Sequence, residues 1–220
     1  MEKGRPAKPR VVLSLDIESD GPAPLVHNCL MVGICAAQVD VPPGSDGWIV
    51  AEREWCLAEQ PGCAADPKCL DEFWAKLPEL RKYIADNAVP VDQFTAELSD
   101  WLRMLNKRFT VTAWAARPAS FDYQWITCLY HRWRPAKAFP IPFSIRCISS
   151  MYKTLEACGF RPPGTWKSPD LPHTHRALED ARGQAYQYVM MCQALAAMRL
   201  VPAAEPGPAA EPGPAAEPDE

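Results

Sequence analysis

No part of the 220-residue sequence runs to 18 consecutive apolar residues, so no segment reads as a membrane-spanning helix. The N-terminal MEKGRPAKPR is basic and lacks an apolar h-region, which by composition excludes a cleavable secretory signal. None of the 9 cysteines forms a CxxC pair, and an odd, scattered set does not suit a closed disulfide framework. Cys29, Cys35, Cys128 and Cys192 stand in apolar runs, where a free thiol behaves as a small hydrophobe. A reducing, intracellular setting is expected, with cytoplasm and nucleus not distinguished. Cys56, Cys63 and Cys69 lack a fourth ligand and paired spacing, which argues against structural zinc. Acids are sparse between residues 131 and 200, with four against ten Lys and Arg, and bases are missing altogether from residues 201–220. The formal charge of −4 therefore comes from the tail, whose acids are Glu205, Glu211, Glu217, Asp219 and Glu220; the rest of the chain is slightly positive. A basic half beside an acidic cluster suits a phosphate polymer held with cations.

What is present is an ordinary globular composition, 48% hydrophobic with 8 tryptophans, in a length that suits one domain. Residues 1–9 read as a flexible basic leader and 10–200 as one folded unit. From Pro202 the PAAEPG repeat cannot bury enough surface to offset its ordering entropy, so 201–220 is expected to be a disordered tail. Within the folded unit, Val11–Asp20, Cys29–Val39 and Trp48–Cys56 read as strands joined by short polar turns, an antiparallel meander. The pattern then changes. Leu70–Ala85 looks helical with a break near Pro78, and Val91–Leu105 carries Phe94, Leu98, Trp101, Leu102 and Leu105 on one helical stripe. Thr110–Ala116 is a strand, followed by a helix over Phe121–Tyr130 with Ser120 as its N-cap. Phe143–Cys147 reads as a fifth strand, Ser149–Cys158 as a short helix, Arg161–Thr174 as a Pro/Gly-rich loop, and Ala177–Arg199 as the last helix. A meander followed by strands alternating with helices predicts a mixed α/β sheet covered by helices on both faces.

Chemistry enters with Asp16 and Glu18. In a strand, residues i and i+2 share a face, so both carboxylates leave the sheet together. Two like charges so close resist ionising without a counter-charge. Asp122 and Asp180 each lie in the first turn of a helix, where the ionised carboxylate is favoured. With the first strand central and both helices starting at its carboxyl end, the four acids converge. Such an oxygen-rich cluster selects Mg²⁺ or Mn²⁺ over zinc. Two ions about 3.5–4 Å apart can activate a water and stabilise the leaving oxygen of an in-line phosphoryl displacement.

The motifs LDIESDGP (Asp16, Glu18), SFD (Asp122) and HRALEDA (His175, Asp180) together resemble those of the DEDDh 3′→5′ exonucleases of the ribonuclease H-like fold, over residues 10–200. The wording of the first motif and the compact length are most similar to ribonuclease T, oligoribonuclease and related small exoribonucleases. The resemblance implies a ribonuclease H-like, mixed five-stranded sheet and a metal-dependent exonuclease domain acting on single-stranded RNA 3′ ends to release nucleoside 5′-monophosphates. It assigns Asp16, Glu18, Asp122 and Asp180 to two Mg²⁺ or Mn²⁺ ions and His175 to general-base duty, for which an imidazole's proton affinity is suited. His173 misses the spacing to Asp180 and reads as a loop residue. Arg117-Pro118 stands where relatives commonly carry Asn or Gly, which alters contact with the terminal nucleotide without removing a ligand. Leu25 and His27, after the first motif, Tyr123 and Trp166 as stacking rings, and Arg176 as a phosphate contact are candidate substrate residues, with Arg132, Arg134 and Lys167 as further phosphate contacts. Small relatives include homodimers, so a homodimer is compatible. The same chemistry on DNA is the nearest alternative. A non-catalytic nucleic-acid binder is a further one, disfavoured by the histidine, which mere binding does not need.

Overall fold

The computed structural model describes residues 7–160, 168 and 170–199. The start of the leader, the tail from 201 onward, and Trp166 and Lys167 of the loop after the short helix lie outside the described residues. Among the described residues, no helix is long and apolar enough to cross a membrane.

The chain begins with three long strands, β1 (Arg10–Ser19), β2 (Cys29–Gln38) and β3 (Ile49–Leu57), paired antiparallel in sequence order. The predicted break near Pro78 is real. Helix α1 (Pro67–Glu72) and a 3₁₀ turn precede α2 (Pro78–Asn87), which starts on that proline. Strand β4 (Ala88–Val89) and helix α3 (Val91–Arg108) follow, then β5 (Thr110–Ala116), α4 (Ala119–Arg132), β6 (Arg146–Cys147), α5 (Ile148–Ala157) and α6 (Ala177–Arg199). The sheet order is β4-β3-β2-β1-β5-β6, with β5 parallel to β1 and β6 parallel to β5.

The mixed sheet with helices on both faces is therefore as expected, but it has six strands rather than five. The extra one, β4, is only two residues long and pairs with the end of β3, too short to leave a period in the sequence. The fifth expected strand, Phe143–Cys147, shrinks to Arg146–Cys147, because Phe143 stands fully in solvent and Tyr123 Oη binds the carbonyl of Pro142. Helix α4 starts earlier than predicted, at Ala119, with Pro118 at its cap and no capping side chain, so Ser120 is inside the first turn instead of at the N-cap.

Strand β1 is central and covered on both faces, which is why it reads as a nearly unbroken apolar run. Its alternation sorts the two cores. Val11, Leu13, Leu15 and Ile17 pack with Phe94, Leu98 and Leu105 of α3 and Trp125 and Ile126 of α4. Val12 packs on the opposite face with Ala181, Ala185 and Val189 of α6 and Leu155 of α5. Ser14, Asp16 and Glu18 continue the Val12 row, so both acids face the α6 side. The pairing of β1 with β5 ends at Leu15↔Ala116, and β1 continues past it. Asp16 and Glu18 thus emerge at the carboxyl end of the sheet, where the chain turns from β5 into α4.

Candidate active site

Helix α6 reaches the acids because β2 lets it come close. Across the sheet, Asp16 pairs with Gly33, and Gly33 pairs with Glu54 on β3. A Cβ on Gly33 would stand 2.2 Å from the Ala177 carbonyl carbon and 2.3 Å from the Leu178 nitrogen. Only a residue without a side chain admits the helix backbone there. Next in the row, Glu54 is bound by Arg176 through Nη2 at 2.9 Å and Nε at 3.2 Å, and the guanidinium also lies over the Tyr83 ring. This clamp fixes the residue before α6. Arg176, expected as a phosphate contact, is committed to Glu54 instead, which its position beside His175 could not disclose. Gly33→Ala is expected to force the helix off β2 and cost about 1–3 kcal/mol. That corresponds to a fall in Tm of about 2–12 °C in thermal unfolding. An unchanged Tm would refute the close-approach argument.

Held this way, α6 brings Asp180 to the strand acids. Donor oxygens of Asp16, Glu18 and Asp180 all lie within 4.8 Å of one another. Asp122, from α4 on the other face, reaches over the end of the sheet closely enough to act electrostatically on Asp16 and Glu18. All four acids are buried. Burial, then repulsion from Asp122, Glu18 and Asp180, pushes the Asp16 carboxyl well above the usual carboxylate range. Burial and then Asp180 and Asp122 push Glu18 up to about 8. Burial pushes Asp122 up to about 7, against backbone hydrogen bonds from Ile17, Asp122 and Arg117 that lower it. Asp20, the remaining acid of the first motif, stands apart. Its two oxygens accept from the Asn28 amide at 2.6 Å and the Asn28 side chain at 2.7 Å, closing the loop after β1.

Two carboxylate oxygens, Asp122 Oδ2 and Asp180 Oδ2, are buried without a hydrogen-bond donor. Buried polar atoms rarely stay unsatisfied, and hard, clustered oxygens of this kind are what a divalent cation accepts. The residues present fit such an ion.

Both loop histidines reach Asp180, with ring nitrogens of His173 and His175 and an Asp180 oxygen mutually within 4.8 Å. His173 Nδ1 lies 2.9 Å from Asp180 Oδ2, at ion-pair distance but off the line a hydrogen bond needs. His175 sits between the His173 ring, 4.3 Å away, and the Phe73 ring, 5.0 Å away. Its φ of 60° is in the left-handed region that non-glycine residues seldom adopt. Burial, followed by the neighbouring His173, lowers the His175 proton affinity, against Asp180, which raises it.

Two residues beside the site, Gln184 and Gln187, escaped the sequence reading. Gln184 Nε2 donates to Asp16 Oδ1 at 2.6 Å, and both groups are buried. Arg117 Nη1 donates to Gln187 Oε1 at 2.7 Å. The only signal was spacing, since Asp180, Gln184 and Gln187 fall at i, i+4 and i+7 of one helix. Of the softer candidates, Tyr123 is buried with its ring 6.1 Å from Trp114, a core position. Leu25 and His27 lie in the turn after β1; His27 covers Gly21 and its Nδ1 is 3.0 Å from the Ala64 carbonyl. Arg132 stacks on Trp133 and touches the Pro61 carbonyl. A cleft of about 490 Å³ opens on Asp16 and Asp180 and is walled by Arg117, His173, Gln184 and Gln187.

The fold is shared with solved 3′ exonucleases, one of them described as a DEDDh family member. The nuclease domain of 3′hExo, a DEDDh family member solved with rAMP, shares the architecture, with TM-score 0.54, 15% identity, 84% of this chain and 92% of that one. A 3′-exonuclease solved in recognition of the histone mRNA stem-loop does so with TM-score 0.57, 14% identity, 86% of this chain and 84% of that one. Product-bound exonuclease I matches with TM-score 0.54 and 12% identity over 86% of this chain, which spans 44% of that longer one. No curated protein matches by sequence. Residues 11–192 match the family model of the 3′-5′ exoribonuclease Rv2179c-like domain, and the chain belongs to that family.

Proposed function

We propose that the protein is a two-metal 3′→5′ exonuclease that shortens single-stranded RNA and releases nucleoside 5′-monophosphates. The observation that carries this reading is the buried meeting of Asp16, Glu18 and Asp180, with Asp122 beside them and an imidazole at the rim. The description of the matching family as an exoribonuclease domain supports RNA as the substrate in this reading.

Asp16, Glu18 and Asp180, with Asp122 beside them, would hold the ions. Bound there, Mg²⁺ or Mn²⁺ supplies Lewis acidity that lowers the pKa of water and offsets charge on the phosphoryl oxygens. Gln184 holds the Asp16 carboxylate in one orientation. His175, kept neutral by burial, accepts the proton of the attacking water. Its left-handed backbone and its contacts with the His173 and Phe73 rings fix the imidazole beside Asp180.

His173 is the competing base, because its Nδ1 is the ring nitrogen seen 2.9 Å from Asp180. His175→Ala is expected to lower kcat by about 10²–10⁴-fold, the usual span for general-base loss, and His173→Ala far less. Steady-state kinetics with the two variants decides, and the reverse order hands the role to His173. The activity itself is tested with 5′-labelled single-stranded RNA and DNA oligomers in Mg²⁺ or Mn²⁺. A stepwise 3′ ladder on RNA, lost with chelator, is expected; no ladder on either polymer refutes the exonuclease reading, and one confined to DNA corrects the substrate. Light scattering on the same preparation tests the homodimer.

A further inference from the structure

The cleft carries a second polar pair that the carboxylate chemistry does not use. Arg117 follows the last residue of β5, next to the point where β1 outruns its parallel partner at Leu15↔Ala116. Its side chain is exposed and lines the same cleft as Asp16 and Asp180. Among the described residues it has no carboxylate within ion-pair distance. The partner it has among the described residues is neutral: Nη1 donates to Oε1 of Gln187, a residue 8% exposed. A guanidinium has five N–H donors, and this bond occupies only one of them.

The wall behind it is a single face of α6. Asp180, Gln184 and Gln187 repeat at helical spacing, so the stripe that presents a carboxylate and steadies Asp16 also steadies Arg117. The charge of the cleft shows what such a fixed cation is for. Divalent ions would offset the four carboxylates, but a nucleic-acid strand adds a negative charge with every further phosphate. A guanidinium fork matches phosphate oxygens bidentately, and one already held in place loses little freedom on binding.

Resting on the exonuclease reading, we propose that Arg117, oriented by Gln187, is the phosphate-binding residue of this cleft and takes the non-bridging oxygens of an internucleotide phosphate of the substrate strand. It supplies affinity common to all sequences and none of the base preference, because a phosphate contact carries no sequence information.

The test measures binding of a fluorescein-labelled 12-mer of single-stranded RNA by anisotropy, with Ca²⁺ in place of Mg²⁺, across a KCl series. Arg117→Gln is expected to raise Kd about tenfold or more, the loss of a charged hydrogen bond. It should also flatten the slope of log K against log[KCl] by about 0.7, one single-strand phosphate contact. Arg117→Lys keeps the slope and loses part of the affinity. Gln187→Leu leaves the slope unchanged and weakens binding by about threefold, since orientation is lost while charge remains. An Arg117→Gln variant that is folded by circular dichroism, with wild-type Kd and slope, overturns the assignment. If that variant does not fold, wild-type affinity in both Arg117→Lys and Gln187→Leu overturns it equally. Wild-type protein that cuts RNA while Arg117→Gln behaves as wild type sinks this inference alone. Protein that binds but never cuts sinks the exonuclease reading and leaves the salt-slope result standing. Protein that binds no strand at all sinks both.

Discussion

Asp16→Asn is expected to abolish turnover while making the metal-free protein more stable. Asn keeps the shape of the side chain and an oxygen able to accept from Gln184, so the packing of β1 against α6 survives. What disappears is a buried carboxyl whose ionisation is opposed first by burial and then by Asp122, Glu18 and Asp180. Removing one member of a repelling set relieves the fold above neutral pH, and the Tm in EDTA should rise at pH 8. On the two-metal reading, the same change also removes a carboxylate that would hold the ions. A cation's share of transition-state stabilisation is several kcal/mol, which corresponds to a loss of about a thousandfold or more in kcat. Mg²⁺ or Mn²⁺ should then add little to the Tm of the variant. Single-turnover kinetics and thermal scans of the same preparation check both halves. A variant that is inactive and markedly less stable without metal would show that Asp16 is a packing residue and not a ligand.

The second large effect is a dependence of stability on pH that changes with metal. Glu18 and Asp122 are pushed up to about 8 and about 7 by burial, with the neighbouring acids adding to the rise of Glu18. Unfolded, both titrate near about 4. Between those limits the folded state keeps protons that the unfolded chain has released, so the stability of the metal-free protein falls as pH rises. His175 has the opposite sign. Its proton affinity is lowered by burial, so its contribution grows with pH until the unfolded histidine has lost its proton near about 6.5. Measurements from pH 6.5 to 8.5 therefore isolate the acids. In EDTA the Tm should decline across that window. In saturating Mg²⁺ or Mn²⁺ the ions displace the protons, the decline flattens, and the metal-induced rise in Tm is larger at pH 8.5 than at pH 6.5. Equal shifts at the two pH values would mean that the cluster is already ionised without metal.

Much of this was legible in the residues. The apolar runs of β1 and β2, the stripe on α3 and the span of α6 were all readable, because each element buries one face or both against the cores on the two sides of the sheet. Asp16 and Glu18 were placed together by the strand period alone. What escaped had no period to show. Strand β4 is two residues beside the end of β3, and β6 loses Phe143 to solvent. Tyr123 and Arg176 looked available as substrate contacts, yet one is packed beside Trp114 and the other is bound to Glu54, a residue 122 positions away. The partners of Asp16 and Arg117 are glutamines on α6, a residue type that carries no chemistry of its own and so gives no signal until the helix is docked.

The sequence by itself determined which elements form, that two acids share one face of the first strand, and that two more begin helices. These are local facts, set by side-chain alternation and by the geometry of a helix's first turn. Only the tertiary structure decided that Gly33 lets α6 lie against β2, that this contact closes Asp180 onto Asp16 and Glu18, and that His173 as well as His175 reaches Asp180. The first two of those relations join residues more than 140 positions apart. Burial and mutual repulsion, which raise the proton affinity of the acids, exist only once the sheet and both helices have come together.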